Sequence, residues 1–291
     1  MLWAIYGILH SMLRAAFVET CRINRIDGWR LGFWQALTGF VVLLPLSFTP
    51  LMVWPQDGFF YMAAAGIALI FTIGMIVQLR MSEGRHGRIF AIYVPLEAIA
   101  AMIIWVIVTP YMLETYINDT LMTVSVTLAF AFSSYALFRI RTNDVDWKTF
   151  LIAAPIGITY AVAGVVTKIV MTDYGDMVVQ AALSYVMVIF AIMTVVMGLA
   201  ALVKKKTGPE FSSVRTVSTG MVAGLFAVLG YGTFVVSVSY APNPGYTSML
   251  AMLVPVWILT WHGFLRMDDK ASPLAALFIV ISMLLLIVSS H

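Results

Sequence analysis

The chain has 291 residues, of which 62% are hydrophobic and 11% charged, with a net charge of +3 at pH 7 and a mean hydropathy of +0.96. Soluble domains carry about 25% charged residues, so too few charges are present to coat a water-facing globule of this size. Cys21 is the only cysteine, which excludes intrachain disulfides and thiolate metal clusters.

The apolar runs predict an all-α membrane protein with ten transmembrane helices, each close to the roughly 20 residues that a bilayer crossing needs. In chain order they run Leu2 to Thr20, Leu31 to Trp54, Phe59 to Leu79, Ile89 to Thr109 and Leu121 to Phe138. The second five run Thr149 to Met171, Met177 to Val203, Val217 to Tyr240, Tyr246 to Leu265 and Pro273 to Val288. The first run has no basic n-region and carries Arg14 inside it, so it reads as a span and not as a cleaved signal peptide. Trp3, Trp29, Trp54 and Trp147 sit near run ends, as interfacial belt residues do.

Fifteen of the 17 Lys and Arg residues fall in alternate gaps between these runs. Arg22, Arg25 and Arg30 occupy the first gap, and Arg80, Arg85 and Arg88 the third. Arg139, Arg141 and Lys148 occupy the fifth, Lys204, Lys205, Lys206 and Arg215 the seventh, and Arg266 and Lys270 the ninth. The second, fourth and sixth gaps hold only acids: Asp57, then Glu114 and Asp119, then Asp173 and Asp176. Basic loops are retained on the cytoplasmic side. The chain is therefore expected in an inner (cytoplasmic) membrane as a multi-pass protein with both termini periplasmic. Short juxtamembrane basic loops also explain the pI near 9.0 without a nucleic-acid partner.

The halves 1–142 and 143–291 echo one another. Gly66 and Gly74 precede Val94-Pro95, while Gly224 and Gly232 precede Val254-Pro255, and Gln35-Ala36-Leu37 is matched by Gln180-Ala181-Ala182-Leu183. A repeat of five spans is odd, so its second copy must cross in the opposite sense. Two five-helix inverted repeats with a substrate held between them are an architecture of secondary transporters.

These two halves, the Val-Pro pairs opening each fourth span, and Glu114 after the first of them resemble the drug/metabolite transporter superfamily, EamA-like branch. Asp268-Asp269 stands where the second acidic residue would be, a departure from the pattern. The resemblance implies a central cavity lined by the first four spans of each half, with the fifth and tenth peripheral. It also implies cytoplasmic termini, the reverse of what the Lys/Arg distribution predicts.

Charged groups inside spans cost about 2.5–3.5 kcal/mol at a helix centre and rarely persist without a partner or a role. At 1.5 Å per residue, Arg14 lies about 18 Å into its span and Glu97 about 12 Å into its own. Both therefore fall near mid-bilayer, as a structural pair or as the two poles of a substrate site. Two residues past each Val-Pro pair stand Glu97 and Trp257. A carboxylate near aromatic rings suits an organic cation, and Tyr93, Trp105, Tyr160, Tyr185, Tyr231 and Trp261 are further candidates. His10 is four residues from Arg14 on one helix face. Glu19, Lys168 and His262 sit near span ends, where side chains snorkel to the interface.

The expected function is secondary transport of a small polar or amphipathic metabolite, an amino acid or other zwitterion, by alternating access driven by its own gradient or by protons. Transport of quaternary amines through Glu97 and an aromatic cage is one alternative, and a non-transporting scaffold or sensor another. A homodimer is compatible with any of these. No phosphate loop, hydrolase motif, cofactor signature or metal-ligand spacing occurs, so neither an enzyme nor a cofactor is expected.

Overall fold

The computed structural model describes residues 1–24, 26–82, 93–139, 147–267 and 271–290, with only the backbone for 79–82, 147–150 and 152. Arg25, Arg85, Arg88, Ile89, Arg141, Asp268, Asp269 and Lys270 lie outside the described residues, as do the side chains of Arg80, Trp147 and Lys148.

Among the described residues the secondary structure is helical throughout. The helices are α1 (Leu2–Asn24), α2 (Gly28–Leu43), α3 (Gly58–Ser82), α4 (Val94–Val108), α5 (Tyr111–Asn118) and α6 (Thr120–Arg139). They continue with α7 (Trp147–Met171), α8 (Val178–Val203), α9 (Val214–Tyr240), α10 (Pro244–Leu250), α11 (Val254–Phe264) and α12 (Pro273–Ser289). Their starts carry local signals. The side chains of Asp27, Ser213, Asn243 and Ser272 accept hydrogen bonds from the first turns of α2, α9, α10 and α12, satisfying donors that have no partner within the helix.

Six segments are long and apolar enough to cross a membrane, or seven with the bent pair α4 and α5. By length and composition the chain is a multi-pass membrane protein. The outward faces are apolar, as at Leu121, 78% exposed, and Ile107, 71%. The longest apolar segment, Ala153–Val203, spans 51 residues. Straight, it would extend about 75 Å, but the chain turns at Gly175 (φ 48°, ψ −119°), a backbone conformation suited to glycine.

Three predicted boundaries change. The second span was expected to reach Trp54, but α2 ends at Leu43 and continues only as a 3-10 turn, Leu44–Phe48. Pro45, in its first turn, has no N–H to extend the α-helical ladder. The gap after the fourth span contains α5, bent 112° from α4. Pro110 disfavours helical backbone at Thr109, whose φ of −130° and ψ of 75° make the corner. The ninth span is split into α10, a 3-10 turn at Ala251–Leu253, and α11, because Pro255 cannot donate to the carbonyl four residues back.

Packing crosses between the halves. α1 lies on α9, α2 on both α8 and α9, α3 on α8, α4 on α7 and α10, and α6 on α12. Small residues allow the closest approaches. A Cβ on Gly224 would lie 2.7 Å from the Gln35 carbonyl oxygen of α2, a backbone atom that cannot swing aside. Gly224→Ala is therefore expected to destabilise the α2–α9 contact by about 1–3 kcal/mol, read as a lower unfolding midpoint in detergent; an unchanged midpoint would show that the helices slide apart freely.

The loops sort into groups. Lys206 Nζ lies 3.0 Å from Asp27, Arg30 pairs with Glu210, Arg215 donates to the Asn24 carbonyl at 2.7 Å, and Trp34 Nε1 to the Phe211 carbonyl at 2.7 Å. The α1–α2 and α8–α9 connections thus meet at one end of the molecule. Glu19 and His262 come within 3.5 Å and bring the end of α11 there too. Elsewhere, Tyr116 accepts from Asn243 at 3.3 Å, and Tyr174 packs on Phe60 at 6.1 Å. Burial, helped by the carboxylates of Asp57 and Asp173, pushes the Tyr174 phenol above its ordinary pKa.

Candidate functional site

A cavity of about 150 Å³ lies at the centre of the helices. It is lined from α1 by His10, Arg14 and Phe17; from α2 by Gln35; from α3 by Phe71, Met75 and Gln78; and from α4 by Glu97. From the second half come Tyr160 of α7, Phe190 and Met193 of α8, and Phe226, Ala227, Gly230, Tyr231 and Phe234 of α9. α6 and α12 contribute no lining residue and pack on each other instead. An apolar cavity of this volume accepts benzene, so its capacity is a molecule of roughly six to ten non-hydrogen atoms.

Arg14 and Glu97 both face this space, yet they form no ion pair with each other among the described residues. Each is held by a neutral partner. Arg14 Nη2 donates to the Tyr93 hydroxyl, with the guanidinium 5.5 Å from the centre of that ring. Glu97 Oε1 accepts from Ser248 Oγ of α10 at 3.0 Å. Glu97 Oε2 is buried with no hydrogen-bond partner, as is Gln35 Oε1. Buried polar atoms without partners are uncommon, and these two belong to residues that line one cavity.

Rings form the wall between these polar groups. Tyr93 meets Tyr160 at 5.5 Å and 85°, Tyr160 meets Phe71 at 5.0 Å and 80°, and Phe71 meets Tyr231 at 4.8 Å and 88°. Tyr231 stacks on Phe234 at 5.7 Å, and Phe234 meets His10 at 5.2 Å. The series begins under Arg14 and returns to α1 four residues away, at His10. Gln78 fixes Tyr160 by donating to its hydroxyl at 2.8 Å. His10 Nδ1 donates to the Gly230 carbonyl at 2.7 Å, which anchors the imidazole to α9.

Of the residues expected from the sequence, His10, Arg14, Glu97, Tyr160 and Tyr231 line the cavity, and Tyr93 stands directly behind Arg14. Trp257 is not on the lining. Its indole donates to Ser11 Oγ at 2.9 Å, because the break before α11 directs this helix toward α1. Trp257→Phe should lower stability by about 1 kcal/mol through loss of that hydrogen bond, with the unfolding midpoint as the measure. A collapse in ligand binding without a stability change would instead return Trp257 to the site. Phe71, Gln78, Gln35 and Ser248 were not expected. An amide or serine in an apolar run carries little signal of its own, and Phe71 looks like any lipid-facing or core ring.

Three other expectations are corrected. Lys168 does not snorkel. It is 8% exposed and donates to the carbonyls of Val238 (3.2 Å), Ser239 (3.2 Å) and Ala241 (2.6 Å) at the end of α9. Its ammonium lies 5.2 Å from the Trp105 ring centre. Glu19 and His262 are likewise buried, Glu19 pairing with Arg22 at 2.7 Å. Trp3 is 3% exposed and packs on Tyr246 at 5.9 Å, so it belongs to the core and not to an interfacial belt. Among the described residues no three His, Cys, Asp or Glu side chains assemble a metal-ligand set.

No family profile and no curated protein matches the chain in sequence. A solved structure described only as "Crystal structure of protein" is similar in fold, with a TM-score of 0.63 at 10% identity over 99% of this chain and 94% of that one. At that identity the likeness speaks for the fold alone.

Proposed function

We propose that the protein is a secondary transporter of a small zwitterionic metabolite, working by alternating access. The observation that carries this reading is that Arg14 and Glu97 face one cavity without pairing with each other. A scaffold with a closed centre would be expected to join the two charges directly, since an unpaired ionised group in apolar surroundings is costly. Here Arg14 lines the space from α1, and Glu97, one of whose oxygens has no hydrogen-bond partner, lines it from α4. A carboxylate facing the first and a positive charge facing the second would neutralise both.

Ten crossings fit this reading. Ala153–Val203 turns back at Gly175 and counts twice, α4 counts with α5 as the bent pair, and α1 and α12 add the first and last. His10, Arg14 and Glu19 lower the apolarity of α1, and each is buried or on the cavity. Several observations support two inverted halves of the drug/metabolite transporter, EamA-like kind. Val94-Pro95 and Val254-Pro255 each open a helix, lining residues come from both halves, and α6 and α12 stand together outside them. The first, seventh and ninth gaps, all basic, share one end, which supports a cytoplasmic face there and periplasmic termini in an inner membrane.

Flux of labelled amino acids and choline-like amines into proteoliposomes tests the reading. Saturable flux of a zwitterion that is lost in both Glu97→Gln and Arg14→Ala supports it. Flux of amines alone, indifferent to Arg14, would replace zwitterion by cation.

A further inference from the structure

We infer that the positive end of the substrate is a methylated ammonium, so that the cavity selects betaine-like zwitterions over ordinary amino acids; this rests on the zwitterion reading above. A primary ammonium carries three N–H donors and is best held by three acceptors. Few are free among the lining residues: Glu97 Oε2 and Gln35 Oε1, both themselves enclosed. What the cavity has in quantity is ring surface. Phe71 stands near a right angle to Tyr160 on one side and to Tyr231 on the other, with centres 5.0 and 4.8 Å away. Phe17, Phe190, Phe226 and Phe234 line the same space, so that seven of its 16 lining residues are aromatic.

A quaternary ammonium has no N–H to satisfy and spreads its charge over methyl groups. Ring faces attract it through their quadrupoles, and boxes of aromatic side chains are the recurring solution for such cations. Glu97 supplies the neutralising charge from α4 without a direct hydrogen bond, and Arg14 remains for the carboxylate. Size agrees: a trimethylated glycine has eight non-hydrogen atoms, inside the six to ten that a cavity of about 150 Å³ admits.

The test is a binding series on the full-length protein in detergent: glycine, N-methylglycine, N,N-dimethylglycine and glycine betaine, by calorimetry. Burying each methyl group is worth about three- to fourfold in affinity, so betaine is expected to bind about 30-fold more tightly than glycine, with the intermediates graded between. Phe71→Leu keeps an apolar wall but removes the ring, and should cut the betaine-to-glycine affinity ratio about tenfold. Should that variant fold poorly, Tyr231→Leu against Tyr231→Phe gives the same comparison, with only the leucine lowering the ratio. Glycine binding as tightly as betaine, or a ratio untouched by both leucine variants, overturns the methylated head while leaving a zwitterion transporter in place. Absence of binding by the whole series, together with no flux of any zwitterion in proteoliposomes, overturns both.

Discussion

Glu97→Gln is expected to weaken substrate binding and flux by about 30-fold or more while leaving the protein folded. The substitution preserves shape and volume and keeps an oxygen to accept from Ser248, now 3.0 Å away. Only the charge is lost. Removing one partner of a buried, hydrogen-bonded charge contact costs about 2–5 kcal/mol, equivalent to a factor between about 30 and a few thousand. Arg14→Ala should be as severe at the other pole, and Arg14→Lys nearly so, because an ammonium cannot reproduce the planar fork that engages a carboxylate. Calorimetry with the transported zwitterion reads the loss directly, and circular dichroism confirms retained helix. If Glu97→Gln binds every substrate as the parent does, the carboxylate is structural and the site lies elsewhere.

Lys168→Met is expected to be among the most destabilising single changes outside the cavity. Methionine keeps an unbranched apolar side chain and so fills most of the space, but it removes the donor shared by the Val238, Ser239 and Ala241 carbonyls. Those groups sit where the α9 ladder runs out, and a buried carbonyl left without a partner costs about 1–3 kcal/mol. A loss of roughly 3 kcal/mol follows, for an unfolding midpoint about 5–10 °C lower. The ammonium also complements the negative end of the α9 dipole and the face of Trp105. A midpoint within a degree of the parent would mean the α9 carbonyls are satisfied without it.

The two charged residues that line the cavity were legible in the sequence because each broke a local pattern. Arg14 and Glu97 are charges inside apolar runs, where retention demands a reason, and both reached the cavity. Lys168 broke the same pattern and was misread. Its partners come from the end of α9, about 70 residues on, and nothing near position 168 encodes them. Trp257 was reached through the repeat, which gives position along a helix but not the rotation of its face. The corner between α4 and α5 was in principle readable at Thr109-Pro110. Ser248, Gln78 and Phe71 were not, since their contribution lies in which neighbour each meets.

All seven residues of α10 are enclosed, and its Ser248 completes a carboxylate 151 positions earlier in the chain. A nascent polypeptide emerges from its N-terminus, so α4 leaves the ribosome long before α10 exists. Until then Glu97 lacks this donor, and the site is finished only when a late segment threads into a groove that the early ones have kept open. Truncations ending before Pro244 should therefore yield an inserted but unfinished protein, more open to protease than its length alone would dictate.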